Sequence, residues 1–400
     1  MIPDMSKDRG ERTALMEPLC LPEGSRHRAR LTDLALDLAV QAAGFRRSLP
    51  PLVLASLADL VRAMNCYYSN LIEGHDTHPI DIERAIRSDL SKDPRKRELQ
   101  LEARAHVEVQ RWIDAGGLKG AASTPAGLGE LHRRFYQHLP DELRWSDNPD
   151  TGARLRMEPG ELRESDVKVG GHVAISPGAV PRFLEHFGVA YAGLGRTDAI
   201  LAAAAAHHRL LWIHPFLDGN GRVARLMSHA MLVDALDTGG VWSIARGLAR
   251  NVDAYRAHLA ACDQPRRNDL DGRGALSEEA LATFTGWFLE TCLDQVRFME
   301  TLVQPDRLQV RMRLWADEEI ALGHLPATAG DVLQAVLYRG ELPRGEVASV
   351  LGKTARQGRR IVAALQAAGL LHSDGPRAPY HLTFPATLAG RWFPGLFPER

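Results

Sequence analysis

The chain has 400 residues and carries 49 Lys and Arg against 50 Asp and Glu, a net charge of −1. That length exceeds one typical core, so two or three domains are expected, and the balanced charge gives no global case for a nucleic-acid or membrane-surface partner. No apolar run approaches a membrane span, and Met1–Arg12 lacks the hydrophobic centre of a secretory signal. Cys20, Cys66, Cys262 and Cys292 are scattered without metal-type spacing and read as reduced thiols, so the expectation is a cytoplasmic protein that does not bind membranes.

In chain order, Met1 to about Glu23 is polar and proline-bearing, which predicts a poorly ordered stretch or an arm. Arg30 to His106 reads as helices. Within it the apolar-periodic run Leu52 to Met64 leads into Ser69-Asn70-Leu71-Ile72-Glu73-Gly74. This segment should end a helix with Gly74 as the stop, and Ser69 and Glu73, four apart, share a face. Val167-Lys168-Val169-Gly170-Gly171-His172, continuing to Ile175, alternates apolar residues around Gly-Gly and predicts a short hairpin. Ala199 to Ile213 is rich in Ala and Leu without Gly or Pro and predicts a buried helix.

The most specific stretch follows: His214-Pro-Phe-Leu-Asp218-Gly219-Asn220-Gly221-Arg222-Val-Ala-Arg225. Asp218 to Gly221 is turn chemistry, and Val223, Leu226, Met227, Ala230, Met231 and Val233 recur at helical spacing. The run is therefore a loop between two helices, and the N–H groups of Asn220 to Arg222 would form an anion site at the second helix start. Arg222 and Arg225, three apart, share a face and suit phosphate oxygens. Asp218 is a hard oxygen ligand for Mg²⁺. His214 titrates near neutral pH and can take a proton from an attacking hydroxyl. Singly, each is ordinary: a His-Pro helix end, a turn, a solvated pair of arginines. Together they point to phosphoryl or nucleotidyl transfer. A zinc site from His207, His214 and Asp218 would leave the paired arginines unexplained.

Beyond this run, Asp269-Leu-Asp271-Gly272-Arg273-Gly274 is a loop before a helix starting near Ser277. The last hundred residues predict helices over 327–338, 343–351 and 355–368, the third capped by Thr354 and stopped by Gly369, then a two-stranded wing over 370–384. Arg356, Arg359 and Arg360 lie on one face of that third helix, opposite Ile361, Leu365 and Ala368. Such a helix enters the DNA major groove in DNA-binding versions of the arrangement, or makes protein contacts in others. Gly352-Lys353-Thr354 is not a phosphate-binding P-loop, because position 347 is Val347 and not glycine.

The 214–225 run resembles the Fic signature, His-x-Phe-x-Asp/Glu-Gly-Asn-Gly-Arg-x-x-Arg, with every fixed position filled, and His207-His208-Arg-Leu-Leu-Trp-Ile resembles that family's lead-in helix. The resemblance implies an all-α fold: a Fic helical core with a short β-hairpin flap, an N-terminal helical inhibitory segment and a C-terminal winged helix. Expected domains are 1–120, 121–305 and 306–400. Most members transfer AMP from ATP to a protein hydroxyl, so the resemblance implies a protein adenylyltransferase acting on Ser, Thr or Tyr with ATP and Mg²⁺. His214 would be the general base and Asp218 the Mg²⁺ ligand. Asn220, Arg222 and the backbone of Gly219 and Gly221 would hold the α- and β-phosphates, Arg225 the γ-phosphate, and Tyr255 would sit near the nucleobase. Ser69 to Gly74 resembles the inhibitory motif Ser/Thr-x-x-x-Glu-Gly, whose glutamate, here Glu73, would pair with Arg225 in the γ-phosphate's place and inhibit in cis. Val167 to His172 resembles the flap that aligns a target segment by strand addition, and Arg163 fits the family pattern. Three alternatives stay open: removal of AMP, transfer of UMP or phosphocholine, and a DNA-binding regulator whose core senses a ligand. DNA contact through Arg356, Arg359 and Arg360 and a homodimer also stay open.

Overall fold

The computed structural model describes residues 7–147, 154–236 and 238–398. It is mostly helical. In chain order the first helices are α1 (Arg28–Arg47), α2 (Pro51–Ile72), α3 (Pro79–Ile86), α4 (Pro94–Asp114), α5 (Pro125–Tyr136), α6 (Val180–Ala190), α7 (Arg196–Ile213) and α8 (Asn220–Leu236). Then come α9 (Ala245–Arg250), α10 (Val252–Cys262), α11 (Glu278–Val303), α12 (Pro305–Ala321), α13 (Ala329–Arg339), α14 (Val347–Leu351), α15 (Ala355–Ala367) and α16 (Ala389–Trp392). No single helix among the described residues is long and apolar enough to cross a membrane.

The centre is the antiparallel pair α7 and α8. Every residue from Ile200 to Leu210 is buried, as is every residue from Arg222 to Leu232. Neither helix has one polar face, as befits an element covered on all sides. Around this pair pack α1, α4, α5, α6 and α11. Helix α2 starts with Pro51 at the first helical position, where its missing N–H costs nothing; it packs on α9 and α4 and meets α8 through Ser69. Every residue from Ala63 to Asn70 is buried. The segment bearing Ser69 and Glu73 is thus part of the core and not a surface attachment. Three helices are tied by one carboxylate: Asp114, at the end of α4, accepts from Arg62 Nε of α2 at 2.7 Å and meets His229 Nε2 of α8 at 2.7 Å. Burial alone would raise the pKa of Asp114, but His229 and Arg62 hold it below the usual carboxylate value.

Three two-stranded antiparallel hairpins complete the fold: β1 (Trp145–Asp147) with β2 (Arg154–Arg156), β3 (Lys168–Val169) with β4 (His172–Val173), and β5 (Leu371–His372) with β6 (His381–Leu382). The predicted Gly170-Gly171 hairpin is β3–β4, with Lys168 opposite Val173 and Gly170 at φ 58° supplying the turn. The Ser277 and Thr354 caps are also as predicted, each side chain accepting from the backbone three residues on.

Of the two expectations for the N-terminal segment, the described residues follow the arm. Residues 1–6 lie outside the described residues, but from Lys7 the chain is a packed arm. Met16, Leu19 and Leu21 are buried. Pro18 O accepts two bonds from the fully buried Arg209 guanidinium, at 2.9 and 3.1 Å. Glu11 accepts from the Ser176 amide and hydroxyl, and Asp8 pairs with Arg182 at 2.7 Å. Polar composition concealed an arm whose few apolar residues each fill a specific gap.

The C-terminal hundred residues follow the predicted order of three helices and a hairpin, with an added bridge between Leu342 and Tyr380. They share one apolar core with the rest of the chain. The final turn packs on α2: Tyr68 Oη donates to Leu396 O at 3.0 Å, and Phe397 meets the Tyr67 ring edge-on at 5.6 Å.

Candidate active site

The loop from His214 to Gly219 joins the two central helices, and its shape is fixed from several sides. His214 caps α7 in the left-handed conformation, φ 51° and ψ 62°. A non-glycine residue held there stores strain that surrounding contacts must impose. Those contacts come from Arg163, whose Nε donates to His214 O at 2.7 Å and whose other nitrogens donate to Ser165 O and Ile175 O. One buried guanidinium thus joins the catalytic loop to the foot of the β3–β4 hairpin. Asn220 closes the loop from the other side: its Nδ2 donates to Phe216 O at 2.8 Å, and its Oδ1 accepts from Phe216 N at 3.0 Å. Both ends of that amide are engaged, so Asn220 shapes the loop. One Nδ2–H remains beyond these two bonds.

The chemical groups then fall into place. His214 Nδ1 faces Leu211 O at 3.3 Å, which sets the proton on Nδ1 and leaves Nε2 as the lone-pair nitrogen. Burial pushes the His214 pKa down to about 4, with the nearby Arg163 and His172 acting the same way. The imidazole is therefore neutral at physiological pH with its Nε2 lone pair free, its titration lying well below the near-neutral value expected of a free histidine. Asp218 is exposed at the loop crest. Gly219 has φ 80°, and a Cβ there would lie 2.5 Å from Tyr136 Oη. The helical ladder of α8 opens with Val223 N to Gly219 O at 3.0 Å, so the preceding amides of Gly221 and Arg222 have no carbonyl partner in the helix. Arg222 is buried. Its Nη1 donates to Tyr136 Oη at 2.8 Å, its Nη2 lies 3.6 Å from Glu102, and its Nε has no partner.

Arg225 is already occupied. Its Nη2 reaches Glu73 Oε1 at 2.5 Å, and its Nε donates to Ser69 Oγ at 2.9 Å. Glu73 caps the end of α2, and Gly74 turns the chain away at φ 87°. Burial opposes ionisation of Glu73, but Arg225, helped by Arg222 and His75, keeps its pKa below the ordinary value. The same oxygen would lie 2.6 Å from a Cβ on residue 221. Gly221 therefore admits the carboxylate against the helix start, a close approach that only glycine allows.

Two more residues of the expected site are engaged within the fold. Tyr255 is buried, with its hydroxyl 2.6 Å from His207 Nε2, whose Nδ1 meets Ser228 Oγ at 2.8 Å. It braces α7 and presents no open ring face to a base. His172 belongs to the hairpin, but its Nε2 pairs with Trp212 O at 2.8 Å, so it anchors the flap to α7. The exposed side chains of the hairpin strands are Lys168, Val169 and Val173. Glu102, Tyr136 and His75 were missed. His75 Nδ1 lies 3.1 Å from Glu102, which raises the His75 pKa. Glu102 and Tyr136 come from α4 and α5, and His75 from the loop just after Glu73; no local pattern marks their partners.

Residues 123–232 match the Fic/DOC family. The chain carries a Fic domain. Relatives described as protein adenylyltransferase Fic include those of Aedes aegypti, 30% identical over 175 residues, and Drosophila erecta, 27% identical over 171 residues. Each match covers 42% of this chain and 32% of the relative, so the chain matches about a third of those proteins' length. A solved structure of a Fic family protein from Desulfovibrio desulfuricans G20 aligns with TM-score 0.49 at 17% identity, covering 88% of this chain and 96% of that one.

The residues present fit a nucleotide. Two free amides and a buried, half-satisfied Arg222 converge at the start of α8, beside the exposed carboxylate Asp218. That donor set suits phosphate oxygens and one hard cation.

Proposed function

We propose that this Fic protein transfers AMP from ATP to the hydroxyl of a target protein and is held off by its own Glu73. The observation that carries the reading is the pair of arginines in opposite states: Arg222 keeps an unused donor at the anion site, while Arg225 is closed by Glu73 and Ser69. The amides of Gly221 and Arg222, with the Arg222 guanidinium, hold the phosphates, and Asp218 holds Mg²⁺. Mg²⁺ bound there neutralises phosphate charge. His214 Nε2 takes the proton of a Ser, Thr or Tyr hydroxyl. That oxygen bonds to the α-phosphorus as the bond to the β-phosphate oxygen breaks, and pyrophosphate leaves. The β3–β4 hairpin aligns the target through its exposed edge. Glu73 fills the space and neutralises the charge that a γ-phosphate needs, and misplacement on the order of 1 Å can cost about a hundredfold in rate.

Label transfer from ATP tests this directly. Glu73→Gly should raise modification about a hundredfold, and adding His214→Ala should cancel the gain by removing a general base worth about 10²–10⁴-fold. Equal labelling by wild type and Glu73→Gly overturns the inhibition. Loss of AMP from a premodified target only while Glu73 is present would assign the reverse reaction instead.

A further inference from the structure

We infer a second cation site, for a zinc-like divalent transition metal, on the C-terminal hairpin: His372, Asp374 and His381. The strand register builds it. His372 pairs directly with His381 across β5 and β6, so both side chains leave the same face. Asp374 follows two residues after His372, in the turn beyond β5. One ligand atom from each residue lies within 4.8 Å of the others. The two imidazoles sit edge to face with ring centroids 5.1 Å apart, and Asp374 Oδ1 lies 3.4 Å from His372 Nε2. Closure on a tetrahedral ion needs ligand atoms about 3.4 Å apart, a movement of roughly 1 Å by side chains that are exposed or half-buried.

The hairpin end is rigid enough to hold such a site. Arg344 is clamped into the turn, donating to Ser373 Oγ at 2.9 Å, Ala378 O at 2.9 Å and Gly375 O at 3.1 Å while lying over the Tyr380 ring. Its donors fix the backbone between His372 and His381, so the three ligands pay little ordering entropy. Two imidazoles and one carboxylate suit Zn²⁺, Ni²⁺ or Cu²⁺, whereas Mg²⁺ takes oxygen ligands. Three protein ligands leave a fourth position open. Both imidazoles also line a cleft of about 320 Å³ against Ser56 and Asp59 of α2 and Glu83 of α3. The site therefore lies at the seam between the C-terminal hairpin and the helix that bears Glu73.

The experiment uses the tag-free full-length chain, stripped of metal and titrated with ZnCl₂ against a chromophoric zinc chelator. The wild type should take up one tight equivalent, and Zn²⁺ should raise its melting temperature. The His372→Gln/His381→Gln variant should lose both effects. Asp374→Asn should weaken binding by about a hundredfold, since even an outer-shell partner is worth about 10–100-fold in affinity. His214→Ala and Asp218→Ala should keep the tight equivalent, which separates this site from the Fic loop. Absence of a tight equivalent in the wild type overturns the inference, as does an unchanged equivalent in the double histidine variant.

Discussion

In the proposed reaction the base is His214, and its environment gives it a distinctive pH signature. Burial, reinforced by Arg163 and His172, brings its pKa to about 4. The neutral form needed for proton removal is present above that value and lost as pH falls through it. In the Glu73→Gly background, the acidic limb of the transfer rate should fall near pH 4, and the rate should be flat from about pH 5 to 7 with respect to this group. A limb near pH 6.5, the ordinary histidine value, would show that His214 is not the buried base described here. The single residues of the signature were readable because chemistry places them in one contiguous loop. The contacts of Asn220 and Tyr255 were not, since no local pattern marks their partners, the Phe216 backbone and His207.

Among the helices, the most consequential tie is Asp114, which draws α2 and α8 onto α4. Replacing it by Ala would leave the buried His229 without its partner while Arg62 keeps Asp59, a loss toward the low end of about 3–5 kcal/mol. Denaturant unfolding should show this as a lowered midpoint with unchanged slope. The depressed pKa of Asp114 also carries a sign. Its contribution is complete above the unfolded carboxylate value, about 3.9, and disappears as pH falls through the lower folded value. The stability gap between wild type and Asp114→Ala should therefore narrow in strong acid. A gap that stays constant from pH 7 to pH 2 would remove the ion network from the account. Helix positions here followed from periodicity and caps, as Ser277 and Thr354 show. The packed arm did not, because Met16, Leu19 and Leu21 have no period and their partners, such as Arg209, lie far along the chain.

For the molecule as a whole, the C-terminal elements pose the open question of partner. Arg356, Arg359 and Arg360 are all exposed on α15. If they contact phosphates, duplex binding in a gel shift should weaken steeply with salt, and replacing all three by Ala should reduce the log–log salt slope by about 2.7. Salt-independent retention, or none on any duplex, would leave protein contact as the role of this face. The order of these last helices was legible from Gly and Thr punctuation, but their docking on α2 through Leu396 and Phe397 was not, since aromatic pairing across the chain leaves no local pattern. The clasp between Glu73 and Arg225 also has a direction in time. A ribosome makes the carboxylate first and the guanidinium 152 residues later, an interval of roughly 8–30 s at ordinary synthesis rates. When the arginine emerges, its carboxylate partner is already part of the nascent chain, so on the proposed reading restraint and active site are made together, one to one, on the same ribosome.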